Sequence, residues 1–295
     1  MTDRSVYDGV GLRLLAAFLI TAMSALVREV SGSVELGQIV FWRSAVALLP
    51  IAIYMAIRGQ FPAALRTRRP RAHLARGIIG AIAMTLSFLS LAHLPVAQAE
   101  ALGHLGPVLV LPLAALYLGE VLTTRTILAV LLGFAGVLAM LWEGLAAPGQ
   151  GTMIGVLAGL GFAAATAVSR IQVKALTRTE SPATIAFYFA VISALVGLAT
   201  LPFGWQPVGL RDMALLAGVG LLGGLAHIAA TEAIARAPVS TLAPYDFSGM
   251  VWAVIFDAVL FAALPAPLGW VGIAAITLAG LLVLPRPAKR PRTAL

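Results

Sequence analysis

Residues 94–120 read LPVAQAEALGHLGPVLVLPLAALYLGE. The run is apolar enough to sit in lipid, yet it carries Glu100, His104 and several prolines. A carboxylate and an imidazole inside hydrocarbon need a wet or protein-lined partner. Glu100, His104, Pro107 and Leu111 fall at i, i+4, i+7 and i+11, so on a helix they form one stripe while leucine, valine and alanine cover the rest. Residues 237–264, APVSTLAPYDFSGMVWAVIFDAVLFAAL, echo this run. A slide of 143 positions sets Pro95 on Pro238, Val96 on Val239, Gly106 on Gly249 and Val108 on Val251. Self-similarity at one spacing marks an internal repeat, and the rest of the chain is arranged around it.

Of the 295 residues, 60% are hydrophobic and 11% charged, and the mean hydropathy is +0.98. Those values lie far outside the range of a soluble domain and define an all-α integral membrane protein. The first apolar run, 10–27, is followed by many of the same kind, so it reads as a first span and not as a cleaved signal peptide. Without cysteine there are no disulfides, thiol nucleophiles or cysteine-based metal sites. The net charge of +8 comes from basic residues in short loops between apolar runs, which implies lipid and topology and no nucleic acid.

Apolar runs of about 17 to 25 residues predict ten transmembrane helices, over 10–27, 37–57, 74–92, 97–118, 127–142, 153–171, 182–203, 213–235, 240–264 and 268–284. Basic residues collect on the side of both termini; the other side keeps only Arg28 and Arg211, and Arg43 lies within a span. That asymmetry puts both termini in the cytoplasm. An even split, 10–142 and 153–284, gives two five-helix repeats of opposite orientation, with a site expected near the midplane between them. Gly155 with Gly159, and Gly220 with Gly224, have GxxxG spacing and read as helix-packing positions. The basic loop from Arg66 to Arg76 reads as an anchor near anionic lipid.

Among the polar residues within spans, Arg43 lies about two turns deep and needs a partner. Glu100 and His104 enter the fourth span from the same side, so an Arg43–Glu100 pair is expected, serving either helix register or a gating or substrate role. Asp246 shares a face with Met250, Ala253 and Asp257 at i+4, i+7 and i+11. The face reads either as a helix contact or as a cation or proton site. His227 lies on a glycine-rich face with Gly220, Gly223, Gly224 and Thr231, where a satisfied core histidine and a ligand contact are both open. Glu232 has Arg236 at i+4, which reads as a local ion pair. No HExxH, GxSxG or GxxxxGK[ST] pattern occurs, and the only lysines are Lys174 and Lys289. No catalytic residue, metal site or cofactor is expected, and nucleotide hydrolysis is not either.

FWRSAVALLP in the second span, LAHLPVAQAEAL leading into the fourth, LYLGE closing it, GFAGVLAML in the fifth and AIARAPVSTLAPYDFSGMVWAV in the second half occur in an order that resembles the drug/metabolite transporter superfamily, in the branch built from two EamA repeats. A weaker likeness is to its riboflavin-transporter and S-adenosylmethionine-transporter branches. The resemblance covers essentially the whole chain and implies a central cavity lined by the third, fourth, eighth and ninth helices and their neighbours. It implies a multi-pass inner-membrane secondary transporter that moves a small polar organic metabolite by alternating access, as a monomer or homodimer, with a proton or ion as possible coupling partner. Two other classes stand beside it: a flippase of an amphipathic lipid-linked substrate, and a membrane-embedded enzyme. Three positions depart from the family pattern: Ala262 and Ala263 replace a Gly–Glu pair, Asp257 a small residue, and His104 a hydroxyl or aromatic residue. The expected cavity residues are Arg43, Glu100, His104, His227, Asp246, Met250 and Asp257.

Overall fold

The computed structural model describes residues 3–106, 124–146, 150–176, 179–236, 242 and 245–283. Its α-helices there are α1 (Asp3–Val30), α2 (Leu36–Ile57), α3 (Pro70–His93), α4 (Val96–Gly103), α5 (Thr124–Ala146), α6 (Gln150–Leu176), α7 (Pro182–Leu198), α8 (Leu210–Arg236), α9 (Ser248–Phe261) and α10 (Pro267–Val283). Six stretches among the described residues are long and apolar enough to cross a membrane: Tyr7–Val30, Leu36–Ile57, Pro70–His93, Gly151–Ser169, Pro182–Phe203 and Leu210–Ala233. Shorter apolar helical stretches cover Leu131–Met140, Ser248–Phe261 and Pro267–Ala279.

Local chemistry sets several of the boundaries. Pro70 and Pro182 occupy the first turns of α3 and α7, where a missing N–H costs nothing. The Ser181 side chain caps α7 by accepting from the Thr184 N–H at 3.1 Å. The helix expected over 97–118 is interrupted: α4 ends at Gly103, and Leu105 N–H turns back to the Leu102 carbonyl. Pro107 accounts for the break, because its ring opposes the carbonyl four residues earlier, that of Gly103. Residues 107–118, with Pro107 and Leu111 of the expected stripe, lie outside the described residues, as do Leu284 at the end of the last expected span and Ser240 at the start of the ninth. Within the expected ninth span the helix runs only from Ser248 to Phe261, closed by Ala262 in the left-handed conformation at φ 48°.

The principal pairings between the first five and last five helices are α1 with α8 and α9, α2 with α7 and α8, α3 with α6 and α7, α4 with α6 and α9, and α5 with α10. Exchanging the two halves in order turns this set into itself. Glycines 143 positions apart make the corresponding close approaches. A side chain at Gly77 would strike Ile192, as one at Gly220 would strike Val46; Gly80 lies against Phe189 as Gly223 lies against Arg43; Gly106 meets Ala163 as Gly249 meets Thr21. Small residues let membrane helices approach closely, and the GxxxG glycines are used in that way, Gly155 and Gly159 against Leu94 and Leu102, and Gly224 against Pro50. One buried cluster joins Met23, Ile39, Phe88, Val96, Phe189 and Leu216, so both halves share a core. Leu49, Ile53, Leu131 and Val259 lie on the outside and are more than half exposed, the surface that a hydrocarbon solvent accepts.

Candidate functional site

A cavity of about 380 Å³ lies where the halves meet. Its walls come from α1 (Ile20, Met23, Ser24), α2 (Arg43), α3 (Arg76 to Leu91), α4 (Ala99, Glu100), α6 (Phe162, Thr166, Ser169), α7 (Phe189) and α8 (Gly223 to Ala230). Cavities of this size, mostly apolar with a few convergent polar groups, are the common form of small-molecule sites.

Three expected residues meet there: Arg43, Glu100 and His227. Arg43 is 5% exposed, and its Nε has no hydrogen-bond partner. Its guanidinium carbon lies 5.6 Å from the centre of the Phe189 ring, in space left open by Gly223. Glu100 accepts from the Ser24 hydroxyl at 2.9 Å. The expected Arg43–Glu100 ion pair is not formed: among the described residues the salt bridges are Arg13–Asp246, Arg28–Asp257, Arg211–Glu29 and Arg236–Glu232. Arg43 is drawn to the Phe189 ring and Glu100 to α1, so the two share the cavity without touching. His227 lies with its ring 5.7 Å from that of Phe189.

Arg76 corrects another expectation. It belongs to α3, not to a lipid-anchoring loop, and its guanidinium folds back along the helix over Gly80 to lie 4.6 Å from the Phe189 ring centre. Its Nε and Nη1 are buried without partners. The signal was present: Arg76, Gly80, Ala83 and Ser87 fall at i, i+4, i+7 and i+11 and line the same wall. The basic run that precedes them masked it.

The other four expected residues do not line this cavity. The His104 Nδ1–H donates to the Glu100 carbonyl at 2.8 Å, and the ring lies 5.1 Å from that of Phe247. Asp246 takes the Arg13 guanidinium, so it already has a cation from α1. Met250 packs with Leu94, Leu102 and Ile276. Asp257, 1% exposed, accepts from the N–H groups of Val96 (2.9 Å) and Ala97 (2.7 Å) and pairs with Arg28. It therefore caps the first turn of α4 from across the molecule. Its oxygens are taken up by backbone and Arg28, which is why the Asp246–Asp257 face turns to protein contacts. Glu232 pairs with Arg236 as expected and also accepts from Tyr54.

A polar cavity held between two related sets of apolar helices is the build of a multi-pass membrane transporter. The chain belongs to the EamA-like transporter family, whose profile matches residues 8–142 and 153–284, one repeat each, within the drug/metabolite transporter superfamily. It is 31% identical over 250 residues to a pseudopaline exporter of Pseudomonas aeruginosa (strain UCBPP-PA14), covering 83% of this chain and 84% of that protein. It is 29% identical over 269 residues to a riboflavin transporter of Brucella anthropi, covering 87% and 90%. To an S-adenosylmethionine uptake transporter of Rickettsia bellii it is 25% identical over 260 residues, covering 87% and 86%. A solved crystal structure, 20% identical, shares the fold with a TM-score of 0.66 over 93% of this chain and 95% of that one.

Proposed function

We propose that the protein is a secondary transporter that carries a small polar organic metabolite across a bacterial-type inner membrane by alternating access, without nucleotide hydrolysis. Its two repeats are five-helix units of opposite orientation, and both termini lie in the cytoplasm. The observation that carries this reading is the cavity between the halves, which gathers Arg43, Arg76, Glu100 and His227 inside a bundle whose outer surface is apolar. Ionisable groups within spans are costly and belong to substrate or ion pathways. The helix pairings that survive exchange of the halves support an inverted repeat, the arrangement in which one half rocks against the other about a central site. The relatives named above, each a transporter of a small organic molecule by its name, support the substrate size.

The test is flux into liposomes holding the purified protein, with a panel of labelled vitamins, nucleotide-like metabolites, amino acids and organic acids, with and without an imposed proton gradient. Saturable flux of at least one solute is expected, lost in Ser87→Phe, which fills the cavity from α3, while folded yield stays near that of the parent. Flux that Ser87→Phe leaves untouched would move the pathway elsewhere.

A further inference from the structure

The charges in the cavity are not balanced. Two guanidiniums, Arg43 and Arg76, lie over one ring, Phe189, at 5.6 and 4.6 Å from its centre. Among the described residues neither has a carboxylate within 4.0 Å, and Arg43 Nε, Arg76 Nε and Arg76 Nη1 are buried donors without acceptors. A buried guanidinium with no counter-ion is expensive, and two side by side repel each other. The ring quadrupole offsets only part of that cost.

The repeat makes it clear that the architecture itself does not need these charges. Gly80 and Gly223 are corresponding positions; the residue seated against Gly80 is Phe189, and the one seated against Gly223 is Arg43. The position 143 residues after Arg76 is Val219, a fully buried core residue. One half therefore fills with apolar side chains the places where the other half keeps arginines. Both glycines also clear the space into which the guanidiniums fold.

Resting on the transport reading of this cavity, we propose that Arg43 and Arg76 form the anion subsite of the transported solute, which is a small organic acid whose carboxylate or phosphate lies between the two guanidiniums. Planar forked donors match oxyanions, and a charge-assisted pair of this kind is strong where water is scarce. Glu100, on another wall of the same cavity, faces the rest of the solute and favours molecules that also carry an ammonium group. With two cations against one carboxylate, the solute as a whole is anionic.

The test uses the full chain purified in detergent and needs no flux. Without ligand, Arg43→Met and Arg76→Met should melt no lower than the parent, since each removes an unpaired buried charge; Arg43→Gln and Arg76→Gln serve if a methionine variant does not fold. Glutamate, succinate and glycerol 3-phosphate at saturating millimolar concentration should raise the parent's melting temperature by about 2 °C or more, and putrescine and glycerol should not. The ratio of the succinate and glycerol 3-phosphate affinities tells carboxylate from phosphate. Each arginine variant should weaken the anion's binding by about 10- to 100-fold. A clear fall in melting temperature of both arginine variants without ligand, stabilisation by putrescine above that by the anions, no anion effect, or an anion effect that survives in both variants would each overturn the subsite. If anions bind through the arginines but no solute crosses liposomes, the transport reading fails and the subsite stands. If a neutral solute is carried equally by the parent and both variants, transport stands and the subsite fails.

Discussion

Ala262 holds a left-handed backbone, φ 48°, at the end of α9. That conformation presses a Cβ against the backbone and suits glycine. Position 119, 143 residues earlier, is glycine. Ala262→Gly should stabilise the folded protein by about 1 kcal/mol, seen as a higher melting temperature in detergent; a lower one would mean that the Ala262 methyl makes contacts worth more than the strain. Arg43, Glu100 and His227 were legible as site residues because a charge or imidazole stands out in an apolar run. Arg76 and Phe189 were not. Arg76 is camouflaged by the basic residues before it, and a phenylalanine in a membrane helix carries no signal until its neighbours are known.

At the scale of elements, α4 depends on α9. Its first two N–H groups are held by Asp257, whose charge is also met by Arg28 from α1, itself stacked 4.1 Å over the Phe261 ring centre. Three helices thus meet at one carboxylate. Asp257→Ala leaves two backbone donors and a partly buried guanidinium unpartnered and should cost about 3–5 kcal/mol. Arg28→Ala should cost less, because the two N–H groups still neutralise Asp257. Having lost the same contact, the double variant should melt higher than the two single effects add to predict. Strict additivity in thermal or denaturant unfolding would separate the two residues. The period of the hydrophobic pattern predicted these helices well, including α2 to within a residue at its start. It missed the break after Gly103 because an apolar run looks continuous whether or not a proline interrupts its hydrogen bonds.

For the whole molecule, the corresponding glycines give a test of the repeat. Gly77→Leu and Gly220→Leu insert side chains against Ile192 and Val46 at equivalent interfaces, so each should lower the melting temperature, and by similar amounts. A large effect of one with none of the other would break the correspondence. Orientation is testable because the chain has no cysteine. With both termini inside, Gln206→Cys should react with a membrane-impermeant maleimide added to intact cells, and Arg68→Cys only after the membrane is opened. The reverse pattern would invert the assigned topology. The sequence by itself determined that the protein lives in a membrane, where its helices run and that its halves repeat, because hydropathy, charge bias and glycine spacing act along the chain. Only the tertiary structure decided which polar groups face one another. It sent Asp257 to cap α4 and Asp246 to Arg13, and it brought Arg43 and Arg76, 33 residues apart on different helices, to a single ring from the other half. Such meetings depend on the rotation and depth of helices distant in sequence, which close glycine contacts set and no local pattern encodes.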